Sequence, residues 1–443
     1  MRIQLSDHFS YGHLLRFALP SMVMMVFTSI YGVVDGLFVS NFVGKEPFAA
    51  INLIMPVLMI TGAFGFMMGA GGTAIVAKTL GEGDGERANK YFSFIVYTTA
   101  LVGIAMASIG IPLMPTLSKL LGAEGATLDY CISYGRIVLA ALPFFMLGNL
   151  FQSLFIAAEK PKLGLYTNIL AGVANIVFDA LFVAVMNFGL KGAAIATAIS
   201  QFVGGVIPIV YFAGKNDSLL KLTRTHLYGK ILLKSIVNGS SELMSNISSS
   251  VVTVFYNFQL MKYAAEDGVA AYGVIMYVSF IFIALFIGYS IGTAPIISYH
   301  YGAKGTDELK SLLNKSTVVC FALGIAMTLI CAFLAAPLSA IFVSYDKALL
   351  EMTARGLFIF SFSFILSGFS IFASSFFTAL NNGPVSAAIS FLRTLVFQLG
   401  GILILPIFFE LDGIWFSMLL AEILATITTV IFLIANRRKY NYM

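Results

Sequence analysis

Asp35 is the single charge in the apolar run from Phe17 to Phe42, and Asp179, Glu242 and Glu422 also sit inside apolar stretches of their own. A carboxylate inside a bilayer-spanning run costs about 2.5–3.5 kcal/mol on insertion scales, so its presence points to function. Tyr31 lies four residues before Asp35 and Asn175 four before Asp179, which puts each pair on one helix face. At about 1.5 Å per residue, Asp35 and Asp179 fall roughly 9 and 12 Å from the outer ends of their helices, in one layer. Thr197 and Tyr134 reach the same layer from two neighbouring runs. Two carboxylates ringed by an amide, a hydroxyl and phenols have two uses. They can share and exchange a proton, because burial and like charge both raise a carboxylate pKa. Alternatively, the oxygens of Asp35, Asn175, Asp179 and Thr197 can ligate a small hard cation, a logic that extends from divalent ions to Na⁺.

The other charges offer weaker chemistry. Glu242, in NGSSELMSNISSS, sits among serines and asparagines, where it could accept a proton or a cationic substrate or be satisfied by Arg393 or those serines. Glu422 stands alone, and Arg136 and Arg393 are expected to be buried partners rather than ligands. His300 is expected at an interface. The 41 Phe and 19 Met residues supply lipid-facing and core surface, and would suit an adaptable apolar cavity.

These residues need helices to hold them. The chain has 443 residues, 59% hydrophobic and 11% charged, with mean hydropathy +0.93. A soluble protein cannot hide that much apolar surface, whereas a bundle of membrane-spanning helices can. Twelve spans fit, at roughly 14–40, 49–77, 92–115, 128–157, 163–186, 192–213, 231–262, 269–298, 312–336, 350–379, 384–408 and 413–435. With both termini in the cytoplasm, eighteen Lys and Arg residues face inward and six outward, the expected bias. That bias accounts for the net charge of +5 without a nucleic-acid partner. Cys131, Cys320 and Cys331 lie in or at the ends of spans with no metal-binding spacing, so neither disulfides nor zinc are implied. His8, His13, His226 and His300 form no ligand pattern with carboxylates, which argues against an enzyme. No signal-peptide cleavage site precedes the first span, which is expected to be retained.

The sequence also repeats. Shifted by about 220 positions, GGTAIVAKTLGEGDGERANK (from Gly71) meets IGTAPIISYHYGAKGTDELK (from Ile291), and FGLKGAAIATAIS (from Phe188) meets FELDGIWFSMLLA (from Phe409). Agreement on one offset indicates a duplication. The expected architecture is an all-α polytopic membrane protein, twelve transmembrane helices in two parallel six-helix lobes related by a pseudo-two-fold along the membrane normal. The N-terminal lobe spans residues 1–213, a cytoplasmic linker 214–230 and the C-terminal lobe 231–443, with the binding site near mid-depth between or within the lobes. The linker is long enough to include a surface helix. Prolines in the spans, Pro20 among them, would let the lobes bend.

With these features in place, the chain resembles the multidrug and toxic-compound extrusion (MATE) family over nearly its whole length. The resemblance rests on ALPSMV at the first span, the paired loops LGEGDGERANK and YGAKGTDELK, and NILAGVANIVFDALFV followed by FGLKGAAIATAIS. The spacing of Tyr31, Asp35, Tyr134, Asn175, Asp179 and Thr197 looks like the N-lobe cation site of the DNA-damage-inducible (DinF-like) branch, and Pro20 matches that branch's first-helix proline. The small bacterial drug-exporting type is most similar. The resemblance implies export of amphipathic, mainly cationic drugs or dyes in exchange for Na⁺ or H⁺. It implies no cofactor beyond that ion, and Pro20 as a hinge. The expected setting is the cytoplasmic membrane, among lipid and as a monomer. A flippase for lipid-linked oligosaccharides or other amphiphiles, from the same superfamily, is the alternative.

Overall fold

The computed structural model describes residues 3–442; the side chains at positions 33, 35–38, 40, 41 and 45 lie outside that description. A backbone in hydrocarbon must satisfy its own polar groups, and the described chain does so as helix nearly throughout. Several helices start where the sequence supplies an acceptor for free amides. Ser10 caps Tyr11–Phe42, Asp84 accepts from the Arg87 amide at 2.9 Å, and Asp346 accepts from Ala348 and Leu349.

Spans one to three are Tyr11–Phe42, Lys45–Gly81 and Gly85–Leu120. Span four is two legs, Gly125–Ala140 and Leu142–Ala157, bent by 55°, with Pro143 opening the second leg. Span five is Pro161–Asp179 continued by a π-helical turn, Ala180–Val185, and span six is Gly189–Ala213. Spans seven and eight form the run Gly229–Gly302, broken at Ala265, whose φ of 49° no α-helix contains. Span nine is Thr306–Val343. Span ten is again bent, by 50°, between Lys347–Ser361 and Phe364–Ala379. Span eleven runs Gly383–Phe391, then a π-helical turn Leu392–Phe397, and reaches a second break at Glu410 (φ 50°), after which span twelve continues to Tyr440. The twelve expected spans are all present; neither π-helical turn was expected.

The duplication is written into the backbone. Left-handed turn residues recur at a spacing of 221 to 223 residues: Gly44 with Ala265, Gly83 with Lys304, Glu159 with Asn381 and Asn187 with Glu410. The two bent spans are counterparts as well. The linker forms no regular helix between Lys215 and Leu227. It lies along span three, where the Lys221 amide donates to Asn89 (2.7 Å), the Thr223 amide to Ser93 (2.8 Å) and Thr225 Oγ1 to the Lys90 carbonyl (2.8 Å). Those bonds satisfy the polar groups that a helix would have satisfied internally.

The two halves touch at the end of the bundle that carries the termini, termed the inner end. A Cβ on Gly81 would lie 2.0 Å from the Tyr299 carbonyl, and one on Gly302 would lie 2.0 Å from the Lys78 carbonyl. These contacts are images of each other under the repeat. Gly71 and Gly239 meet in the same way, and Gly292 presses on Ala18. Only the absence of side chains permits such backbone approach. Below this seam, Leu5 and Phe9 are fully buried in a cluster that also takes in Tyr440 and Tyr442.

Candidate functional site

The N-terminal half encloses a cavity of about 400 Å³. Its apolar wall includes Met25, Met55, Met59, Phe66, Phe144 and Phe145. Tyr31, Tyr134, Asn175 and Thr197, four of the residues singled out by spacing, also line it, so they do converge. Tyr31 arrives because Gly172 has no side chain; a Cβ there would meet Phe27 at 2.5 Å and Tyr31 at 3.0 Å. Ser200 donates to the Ala171 carbonyl at 2.8 Å and so ties span six to span five.

Asn175 is 3% exposed, and Asp179, one turn further along the same helix, is 0% exposed. Asp179 is the last α-helical residue before the π-helical turn and is not among the described lining residues. π-Helical turns recur at functional positions because the extra residue re-aims what precedes and follows it. Asp35 belongs to the first helix, but its side chain lies outside the described residues, and with it the expected proximity of the two carboxyls. Among the described residues no group of three His, Cys, Asp or Glu side chains could hold a metal ion. The sodium set suggested by spacing is different in kind, built from Asp35 and Asp179, the amide of Asn175 and the hydroxyl of Thr197. Thr197 Oγ1 is buried with no hydrogen-bond partner among the described residues, which fits an oxygen kept for a ligand.

Sequence reasoning missed a second group. Asn149 Nδ2, Gln152 Oε1, Thr167 Oγ1 and Gln201 Oε1 belong to residues lining the same cavity and are buried without hydrogen-bond partners among the described residues. Each such orphan costs about 1–3 kcal/mol if nothing fills the cavity. The signal the sequence carries for them is an amide side chain within an apolar span. Nearby, Thr28 donates to Asn168 Oδ1 at 3.1 Å.

The remaining candidates separate. Glu242 is half-buried in span seven, and Asn246 Nδ2 donates to its backbone carbonyl at 2.8 Å. Arg393 does not reach it. Instead Arg393 forms a two-pronged ion pair with Glu422: Nε lies 2.9 and 3.1 Å from the carboxylate oxygens, and Nη2 lies 2.6 Å from Oε1. Glu422 is fully buried, so its partner, absent from the sequence reading, is now fixed. Arg136 is exposed and donates to the Ile111 carbonyl at 3.3 Å, which corrects its expected burial. Its long side chain can snorkel along the helix to reach polar surroundings. His300 is buried at the inner end, edge-on to Phe9, rather than lying at an interface. Pro20 is buried in span one between Ala18 and Met22, which pack on Gly292 and Gly288 of span eight.

Two repeated six-helix halves in a membrane, with a chamber inside one of them, define the class: a polytopic membrane transporter. The MatE family model matches the chain twice, over residues 20–181 and 243–404, which is one match per repeat. The chain belongs to the MatE family. It is 24% identical over 419 residues to the multidrug export protein MepA of Staphylococcus haemolyticus, covering 92% of this chain and 90% of that one. It is 22% identical over 433 residues to MepA of Staphylococcus aureus strain MRSA252, covering 96% and 94%. A solved outward-facing multidrug resistance MATE transporter of the MOP superfamily superimposes with a TM-score of 0.93 at 22% identity, over 98% of both chains.

Proposed function

We propose that this protein is a multidrug efflux antiporter that exports amphipathic, mainly cationic compounds in exchange for Na⁺ or H⁺. The observation that carries the reading is the cavity of about 400 Å³ in the N-terminal half, with Asp179 fully buried one helical turn beyond the lining residue Asn175. That volume suits a drug-sized ligand, and a wall of Met, Phe and Tyr binds a delocalised cation by desolvation and cation–π attraction. None of the described lining residues is charged, which argues against the flippase reading, because a pyrophosphate would need basic groups there.

In this reading Asp35 and Asp179 couple ion to drug, with Asn175, Thr197, Tyr31 and Tyr134 around them. Loading the carboxylates with Na⁺ or a proton changes the cost of burying them, and hence which packing of the lobe is favoured. The lobes are residues 1–213 and 231–443, joined by the linker 214–230. The protein works as a monomer in the cytoplasmic membrane with both termini in the cytoplasm. Glu242 is a secondary candidate for substrate or proton. The closed seam at the inner end and the likeness to an outward-facing relative support an outward-facing state.

The test is dye efflux from proteoliposomes under a Na⁺ gradient or a pH gradient imposed separately. One gradient should drive efflux in the unmodified protein, and Asp179→Asn should abolish that coupling with expression unchanged. Transport of a lipid pyrophosphate without movement of any organic cation would favour the flippase instead.

A further inference from the structure

The recurring backbone turns fix a local register, element by element, in which residues around the N-terminal cavity are matched to counterparts in the C-terminal half. Glu159 matches Asn381 at the turn between spans four and five, and the helices Leu142–Ala157 and Phe364–Ala379 are of equal length. In that register Gln152 corresponds to Ser374, Gly164 to Ser386, Asn168 to Ser390 and Ala171 to Arg393. With Gly192 on Gly413, Gln201 corresponds to Glu422. The chemistry at matched positions is opposite. In the N-terminal half, Gln152 and Gln201 line a cavity, and their Oε1 atoms have no hydrogen-bond partner among the described residues. In the C-terminal half, the counterparts bond to one another. Ser374 Oγ lies 2.9 Å from both Ser386 Oγ and Ser390 Oγ, and Arg393 holds Glu422 by both oxygens. Arg393 is 14% exposed and Glu422 0%.

We propose that the C-terminal half contains a self-occupied copy of the chamber, in which the Arg393 guanidinium is a tethered organic cation bound at Glu422. The guanidinium is flat, delocalised and weakly hydrated, the chemical character of the proposed substrates, and its fork matches a carboxylate. Its permanent occupancy confines the mobile cation to the N-terminal half, so one substrate is bound per chain. The π-helical turn Leu392–Phe397 carries Arg393, whereas at the matched position in the N-terminal half the helix is α and the side chain is that of Ala171. The stoichiometric part of this inference rests on the N-terminal cavity being the substrate chamber. The occupancy of Glu422 does not.

Two measurements on the full-length protein test it. Arg393→Ala leaves Glu422 buried without its cation, so millimolar free guanidinium should raise the Tm of this variant saturably. The unmodified protein and the pair R393A/E422Q should show no such rise. The double substitution installs the N-terminal half's own residues at both positions and removes both charges together, which avoids an unpaired buried charge. It should bind ethidium at two per chain, against one per chain for the unmodified protein. Identical guanidinium responses in all three proteins would overturn the tethered-cation assignment. If Arg393→Ala does not fold, the double variant decides alone: one ethidium per chain with a cooperative unfolding transition overturns the proposal. Absence of ethidium binding to the unmodified protein would instead sink the chamber reading and leave the guanidinium test standing.

Discussion

The seam at the inner end sets a quantitative expectation for Gly302→Ala. The added methyl would start 2.0 Å from the Lys78 carbonyl, whereas ordinary contact begins at 3.4 Å, so helix backbones must separate by about 1.4 Å. The obstacle is backbone on a packed helix, not the movable end of a side chain. Overpacking of this kind costs about 1–3 kcal/mol, which moves an equilibrium between two arrangements by roughly 5–150-fold. The penalty falls on the arrangement with the inner end closed, so the variant should favour separation there. Spin labels on Cys substituted at Glu86 and Lys310, exposed positions on opposite halves, would report the separation by electron–electron double resonance. The native Cys131, Cys320 and Cys331 are buried and should stay silent. Gly81→Ala should act alike, since its Cβ meets the Tyr299 carbonyl at 2.0 Å. The two changes should combine non-additively because they wedge one seam. Gly273→Ala, with nothing within 4 Å, is the control. An unchanged distance distribution and normal efflux in both seam variants would refute the idea that this packing closes the inner end.

Other consequences are as direct. Pro20→Ala should lower transport more than drug binding, measured by efflux against equilibrium binding, because the chamber stays intact while the first helix stiffens; equal losses would mark a purely structural proline. Glu308 accepts from the Phe9 amide at 2.9 Å and pairs with His8, while Glu159 accepts from the Leu5 amide at 2.8 Å, so residues 4–10 strap both halves together. Glu308→Gln should weaken charge-assisted bonds worth about 1.5–3 kcal/mol and speed hydrogen exchange at Phe9; unchanged protection would show the strap to be held by Leu5 and Phe9 burial alone. In the linker, the hydrogen bond from Lys160 holds the Asp217 carboxyl below the usual carboxylate range. The stabilisation from a depressed pKa is full above the ordinary aspartate value and is lost as pH falls through the folded one. Hydrogen exchange near residues 217–223 should therefore accelerate only below about pH 4, and Asp217→Asn should remove that dependence.

How much of this was legible in the chain follows from the range of the forces involved. Apolar run length, proline and glycine positions and the Lys/Arg asymmetry act locally along the chain, so the sequence alone determined twelve spans, the duplication and the parallel halves. Carboxylates in apolar runs announce themselves, and helical periodicity placed Asn175 with Asp179 on one face. The tertiary structure decided what side chains meet across helices. It brought Tyr31, Tyr134, Asn175 and Thr197 around one cavity and buried Asp179 one turn beyond Asn175. It gave Arg393, carried on the π-helical turn Leu392–Phe397, to Glu422 rather than to Glu242, a pairing across helices that no local pattern encodes. It left Arg136 exposed and buried His300 beneath the N-terminal strap. The amides Gln152 and Gln201 became visible only once their missing partners could be seen. Whether a polar group is satisfied depends on distances between helices far apart in sequence, and in a membrane those distances are set by small residues such as Gly81, Gly172 and Gly302, whose significance lies in what packs against them.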